Sequence, residues 1–389
     1  MIETNSTCRM LFNGGLTINP DGSIVLCCVS SQNKLAHISE IDDLNQFYNS
    51  SLFNYIREKM KSGLLPTETC QACNFARKQG HTAAIDSWVP EKIKWTSDDI
   101  DYHTISFLEF APSNICNQNC VMCGSFYSSK WVEWELDAIE DELSFRYRDG
   151  SASEYMINFK NKVWSMNDED LQKIYDVLPN VKRIVLKGGE PFADKRNYDL
   201  IRYCMKLEKP PIIDVTTNFS MVPNDVMDMI SEYPNLFVSV SIDGTNEIYE
   251  WVRGSSYKKT IENCQTYMKK THNIQKISVA ATPTLYTLYS LDDYMLEMKN
   301  LGFTSICFMR AERPKYASIE AEENLDHYVQ KYKKFLRTYD NMTVKFFSNI
   351  DNRKYDTNID KSNVRDWIEF MNKKRGFDIR KYVPELNKF

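Results

Sequence analysis

Cys116, Cys120 and Cys123, in "SNICNQNCVMCG", form the densest concentration of chemistry in the chain. Three thiolates at this spacing can ligate one metal centre from a single turn of loop, and no His or further Cys lies close by in sequence to complete the set. A structural zinc site takes four protein ligands, whereas a catalytic centre keeps one coordination position open. The other cysteines are unevenly spread: Cys8, Cys27, Cys28, Cys70 and Cys73 crowd the first 80 residues, while Cys204, Cys264 and Cys307 stand alone. The isolated three read as small buried apolar side chains. The N-terminus lacks the apolar core of a signal peptide, and no apolar run is long enough to cross a bilayer, so the expected location is cytoplasmic. Reducing cytosol disfavours structural disulfides, which leaves metal binding or redox chemistry for the clustered thiols. A net charge of −5 argues against a broad phosphate-binding face, so neither nucleic acid nor a membrane is an expected partner.

The elements that must position these cysteines follow from hydrophobic pattern. A length of 389 residues suits two domains, or one large α/β barrel with an extension. From about residue 103, six strand-like runs ("TISFLEF", "RIVLKGG", "IIDVTTN", "FVSVSID", "KISVAAT" and "SICFMRA") alternate with amphipathic helical stretches. Such β/α repeats imply a parallel sheet with right-handed crossovers. Six repeats are too few for an eight-fold barrel, so the expected fold class is α/β, a partial (β/α)6 TIM-like barrel. The tricysteine loop follows the first of these strands, at the end where parallel β/α folds carry their chemistry. Upstream, "GLTINPDGSIVLCC" predicts a β-hairpin, residues 43–62 a helix, and "GLLPTETCQACNFARKQG" a loop bearing Cys70-x-x-Cys73. The apolar content of this small hairpin/helix module is thin for an independent core, so ligands are expected to hold it. Residues 132–166 read as an insertion on the first crossover. The C-terminal "NVRDWIEFMNKKRGFDIRKYVPELNKF" predicts a helix ending near Gly376, then an extended tail. Expected boundaries are 1–85 for the N-terminal module, 100–345 for the barrel, and 346–389 for the C-terminal helix and tail.

The C-x-x-x-C-x-x-C loop after the first strand resembles the signature of the radical S-adenosylmethionine (SAM) superfamily. Further motifs follow in order at successive strand ends. "LKGGEPF" supplies Gly188, Gly189, Glu190 and Pro191; "DVTTNFS" supplies Asn218; "SVSIDGTNEIYEWVRG" supplies Ser241, Asp243 and Arg253. The resemblance implies that Cys116, Cys120 and Cys123 hold a [4Fe–4S] cluster whose fourth iron binds SAM. It implies that the GGEP element meets the SAM amino group, Asn218 the ribose, and Arg253 the carboxylate, with Ser241 and Asp243 as the matching S-x-D-G element. Met122 stands where many relatives have an aromatic residue against adenine. An electron from the cluster would split SAM, and the 5′-deoxyadenosyl radical would take a hydrogen atom from substrate; the chemistry is the cofactors' own.

The N-terminal cysteines resemble the auxiliary-cluster module called SPASM or, shortened, twitch, and the chain is similar throughout to radical SAM proteins with an N-terminal twitch domain. Shared features include "PDGSIVLCC", "YNSSLFNYIREKM", "SSKW" and "KKRGFDIRKYVPEL". That implies Cys8, Cys27, Cys70 and Cys73 as ligands of a second iron–sulfur cluster, with Cys28 as the alternative to Cys27. Adjacent strand residues point to opposite faces, so one of the two faces a cluster. Four cysteines also suit zinc. The expected function is a radical SAM enzyme acting on a small polar metabolite such as a sugar, aminocyclitol or nucleotide. The alternatives are modification of a ribosomally made peptide and a non-catalytic iron–sulfur carrier. A flavodoxin- or ferredoxin-type reductant is the expected electron donor. Lys187, Arg310 and Glu312, at strand ends, are the candidate substrate residues, the two cations for a carboxylate or phosphate. Tyr127 and Trp131 are candidates for an aromatic wall.

Overall fold

The structure, a computed structural model, describes residues 8–30, 33–78, 83, 85, 103–140, 164–271, 273–309, 311, 314–337, 343–345 and 359–389. Its strands are β1 (Gly15–Ile18), β2 (Ser23–Val25), β3 (Ala36–His37), β4 (Phe107–Phe110), β5 (Arg183–Leu186), β6 (Ile212–Thr217), β7 (Leu236–Ser241), β8 (Ile277–Ala281), β9 (Ser305–Phe308) and β10 (Thr343–Lys345). Its helices are α1 (Arg9–Phe12), α2 (Leu44–Tyr48), α3 (Ser51–Lys61), α4 (Thr67–Lys78), α5 (Trp131–Glu140), α6 (Asp168–Val177), α7 (Lys195–Cys204), α8 (Asn224–Glu232), α9 (Asn246–Arg253), α10 (Tyr257–Thr271), α11 (Leu291–Asn300), α12 (Leu325–Arg337) and α13 (Lys361–Arg375). The chain divides into two compact units, one of residues 1–114, 164–215 and 233–236, the other of residues 115–163, 216–232 and 237–389.

In the first unit, β1 and β2 pair antiparallel as Thr17↔Val25, and β2 pairs β3. This is the hairpin expected from the "NPDG" turn. On its other side β1 runs parallel to β4, Gly15 opposite Phe107 through Ile18 opposite Phe110. Parallel pairing then continues from β4 to β5 and from β5 to β6. β1 and β4 are buried along their whole length, and the polar side chains that they carry inward, Thr17 and Glu109, bond each other. In the second unit β7, β8, β9 and β10 pair parallel in that order. All six expected β/α strands are present, β4 to β9, and the fold is mixed α/β with the connectivity of a partial (β/α)6 barrel. The core of the second unit gathers Trp131, Trp251, Tyr286, Trp367, Met371 and Leu386, with Trp131 stacked on Trp367 at 5.8 Å.

Three expectations change. The helix predicted over 43–62 is two helices, because Asn49 ends α2 by donating its side-chain amide to Asn45 O and His103 O, and Ser50 is extended. The cysteine-pair segment is a helix, α4, not a loop; it kinks at Cys70, whose N–H bonds Pro66 O at 2.7 Å. The C-terminal helix does stop at Gly376, in the left-handed conformation. The tail beyond it is not extended: two 3-10 turns, Ile379–Lys381 and Pro384–Lys388, bury Ile379, Val383 and Leu386 in the core. Asp378 organises the first turn by accepting from Arg380 N and Asn372 Nδ2. Of the expected insertion at 132–166, α5 and residues 164–166 are described, and residues 141–163 lie outside the described residues.

Candidate metal centres

In the first unit a small cavity is lined by Cys8, Cys27, Cys70 and Cys73, together with Leu26, Ser30 and Leu65. The cysteines arrive from three places: Cys8 precedes α1, Cys27 follows β2, and Cys70, at the kink of α4, lies three residues before Cys73 on the same helix. Cys28 is not among the lining residues; it opens a 3-10 turn whose Ser30 hydroxyl both accepts from Cys27 N and donates to Cys27 O. Burial pushes the Cys8 thiol up, with Cys27 and Cys70 adding to the effect. Burial likewise raises Cys27, against hydrogen bonds from Ser30 and the backbone that work the other way. Four soft sulfur donors around one cavity suit an iron–sulfur cluster, a larger body than one ion. Among the described residues, no three His, Cys, Asp or Glu side chains are gathered closely enough to hold a single ion.

The tricysteine loop belongs to the second unit. Its sulfurs are mutual neighbours: burial raises the Cys123 thiol, and Cys120 and Cys116 raise it further. A buried loop must satisfy its carbonyls. Here they are taken one after another, Cys116 O by Ser129 Oγ, Gln118 O by Ser128 Oγ, Asn119 O by Arg375 Nη2 and Cys120 O by Trp131 Nε1. "SSKW" is therefore a carbonyl-capping segment. Trp131 is wholly buried, not a chamber wall, while Tyr127 is exposed against Phe126. Met122 lies partly buried against the second unit's core.

The segments after β6 and β7 and the end of α9 bond to the loop or to one another beside it. Arg253, the last residue of α9, donates to Ser241 O at 2.8 Å and to Cys120 Sγ at 3.1 Å, and pairs with Asp243. Burial works against its charge, but Cys120, Asp243 and Tyr249 together hold its pKa above the ordinary value. Its guanidinium is thus aimed at the sulfur and at the S-x-D-G element. Asp243 also accepts from Thr282 N, and burial raises its pKa against the pull of Arg253. Asn218 donates to Asn117 Oδ1 and accepts from Ser220. The next residue, Phe219, is buried with φ 54°, the left-handed region, and strain of this kind gathers at functional sites.

In the first unit, the GGEP element leaves β5 in a conformation that needs glycine. Gly188 has φ 120°, and a Cβ there would lie 2.8 Å from Ala111 Cβ and 2.9 Å from Ser113 O. Gly189 N donates to Ser113 O. Glu190 is buried and caps the turn Pro191–Ala193, its Oε1 accepting from Phe192 N at 3.0 Å. Lys187 is placed otherwise than expected for a cation reserved for substrate. Its ammonium pairs at 3.4 Å with Glu109, which is 1 % exposed and also accepts from Thr17 Oγ1. A buried carboxylate demands such a partner. Arg310 and Glu312 lie outside the described residues.

Residues that sequence reasoning missed are Ser128, Ser129, Asn119 and Arg375. Their polarity was visible, but Ser128, Ser129 and Arg375 reach backbone carbonyls and Asn119 accepts from Arg375 far along the chain, which no side-chain pattern records.

Comparison with known proteins gives two family matches. Residues 110–282 match the model of the radical SAM superfamily, and residues 8–74 match that of SPASM, an iron–sulfur cluster-binding domain. No curated protein matches the chain. Among solved structures, native anSMEcpe with bound AdoMet shares 18% identity over 62% of this chain and 63% of its own, at a TM-score of 0.43. Streptococcus suis SuiB bound to S-adenosylmethionine shares 12% over 74% and 52%, at 0.40. SuiB bound to precursor peptide SuiA shares 13% over 70% and 62%, at 0.41. The chain thus spans less than two thirds of the length of each of these. No helix among the described residues is long and apolar enough to cross a membrane.

Proposed function

Because the chain belongs to the radical SAM superfamily and carries an N-terminal iron–sulfur cluster-binding domain, we propose that it binds two clusters and oxidises, or forms a bond at, an unactivated carbon of its substrate. Cys116, Cys120 and Cys123 would hold the SAM-binding [4Fe–4S] cluster, and Cys8, Cys27, Cys70 and Cys73 the auxiliary one. The first cluster with SAM supplies reductive cleavage and the radical that takes the substrate's hydrogen atom. The chain's own residues fix and shield that site. Ser128, Ser129, Trp131 and Arg375 hold the loop's carbonyls, and Arg253 sets a cation beside Cys120; within the first unit, Gly188 and Glu190 shape the GGEP turn, which the resemblance assigns to the SAM amino group. The observation that carries the reading is the cavity with four cysteines on its wall. Four protein ligands leave no iron open, which favours electron acceptance from a substrate radical over anchoring of the substrate. A flavodoxin- or ferredoxin-type protein fits as donor.

For the substrate, a ribosomally made peptide is put ahead of the small polar metabolite expected from the sequence. Leu64 and Phe75, on either side of the cysteine-bearing turns of α4, are 59% and 63% exposed, and Tyr55 on α3 is exposed as well. Apolar groups held in water around a cluster module suit a ligand with apolar side chains better than a sugar. The test is anaerobic reconstitution followed by SAM-cleavage assays with pools of short peptides, and separately with sugars, aminocyclitols and nucleotides. Two cubane clusters give about eight irons per chain, and the triple Cys116→Ala, Cys120→Ala, Cys123→Ala variant should keep about half of them and lose SAM cleavage. Retention of all iron by that variant would remove the loop from the chemistry. Stimulation of cleavage by the metabolite pools alone would reverse the substrate order.

A further inference from the structure

We propose that Arg375 is a positioning residue for the tricysteine loop, gripping Asn119 so that Cys116, Cys120 and Cys123 retain their cluster; this rests on the reading of that loop given above. Asn119 sits between Cys116 and Cys120 in sequence. Both of its oxygens are held by one guanidinium: Nη1 donates to Asn119 Oδ1 at 2.6 Å and Nη2 to Asn119 O at 2.7 Å. The third arm, Nε, donates to Trp251 O at 2.8 Å, so the fork is fixed from both edges. One face of its plane lies 4.8 Å over the Trp134 ring. Such a planar, multidentate grip is available to Arg and not to Lys.

Two independent features are built around this contact. Gly254 follows α9 with φ 78°, and a Cβ there would fall on the Arg375 guanidinium and the Asn119 amide oxygen. Space for the fork therefore depends on the missing side chain. The helix that carries Arg375 is also anchored to the next loop residue, since Trp367 of α13 stacks on Trp131, whose Nε1 holds Cys120 O at 2.9 Å. Two successive carbonyls of the cysteine loop, Asn119 and Cys120, are thus tied to α13, one directly and one through a tryptophan pair. A helix more than 240 residues away in sequence fixes the backbone on which the thiols stand.

The experiment uses the full chain with both clusters reconstituted anaerobically, challenged with an excess of a strong iron(II) chelator. The electron paramagnetic resonance signals of the two reduced clusters are followed separately, the triple Cys116, Cys120 and Cys123 variant identifying the auxiliary signal. Arg375→Met and Gly254→Ala should lose the loop cluster roughly 10- to 100-fold faster than the parent chain, the effect of losing charge-assisted hydrogen bonds. Their auxiliary signal should decay at the parent rate. Arg375→Lys should fall on the side of Arg375→Met, because charge without the fork does not restore the grip. Lys374→Met, which cuts the neighbouring ion pair to Asp137, should behave as the parent. Loss of the loop cluster at the parental rate in Arg375→Met overturns the proposal. So does equal acceleration at both clusters, which marks general destabilisation. Should Arg375→Met fail to fold, Asn119→Ala removes one arm of the grip and carries the same test with the same outcomes. If the triple cysteine variant keeps both signals, the assignment of the loop has failed rather than the role of Arg375.

Discussion

Replacing Trp131 with Phe should cost the cluster-free chain about 2–5 kcal/mol, a large loss for one ring-for-ring exchange. Trp131 is wholly buried, and its indole N–H is the donor to Cys120 O at 2.9 Å. Phenylalanine has no such donor, and a buried carbonyl deprived of its partner costs about 1–3 kcal/mol. The smaller ring also leaves unfilled volume among Trp251, Trp367 and Val364, worth about 1–2 kcal/mol more. The stack on Trp367, at 17° between ring planes, survives in part, which bounds the loss from above. Urea unfolding under anaerobic reducing conditions, followed by near-ultraviolet circular dichroism, measures the shift. Ser128→Ala, which frees Gln118 O, supplies a milder companion on the same loop. A Trp131→Phe loss below about 0.5 kcal/mol, the range of an ordinary surface substitution, would refute the idea that carbonyl capping holds this loop.

Other outcomes follow from single contacts. Cys27→Ala should remove the auxiliary iron while Cys28→Ala leaves it, since Cys27 alone of the two lines the cavity; iron assay of the two variants decides. Gly188→Ala should weaken SAM binding measured by calorimetry, with strain of about 1–3 kcal/mol at a φ of 120° and a Cβ against Ser113 O; unchanged affinity would free that backbone from the site. Burial raises the Cys8 and Cys27 thiols above their unfolded value, so their contribution to stability is full below the free thiol range and lost as pH rises through the raised values. The cluster-free chain should therefore lose urea resistance above about pH 8.5, and iron loading should quicken over the same rise because thiolates are the ligands; a flat profile for both contradicts this. Lys187→Met should destabilise the chain by about 3 kcal/mol in a urea titration, reduced by the partial exposure of the lysine, because Glu109 keeps its burial and loses its counter-charge; a neutral result would show that Thr17 alone suffices.

The strands of the β/α repeats were legible because burial on both faces writes a short apolar run, as in residues 184–186 of β5. Gly376 was legible as a helix stop because the left-handed conformation leaves a residue-type signature. The cysteines announced themselves by type and spacing. What stayed hidden was set by partners far off in sequence. Asn49 breaks a helix by reaching His103 O, and nothing in residues 43–62 encodes that. β10 is three residues long and takes its pairing from β9. Lys187 reads as a free strand-end cation until Glu109, on the neighbouring strand, is seen to claim it. Arg375 looks like an ordinary basic residue in the last turn of a helix, and only the fold brings Asn119 to its fork.

The parallel pairing of β1 with β4 sets a schedule for synthesis. Gly15 pairs with Phe107, so after β1 leaves the ribosome it must wait for 92 further residues before its second partner exists. At about 5–20 residues per second the wait is roughly 5–20 s, with β2 on one edge and bare backbone on the other. An apolar strand with an open edge invites pairing with other chains. A fragment stopping at residue 85 would keep that edge open indefinitely, and it should aggregate even though it contains every cysteine of the first cavity. Iron added to the nascent cysteines before β4 arrives would meet a hairpin without its neighbour.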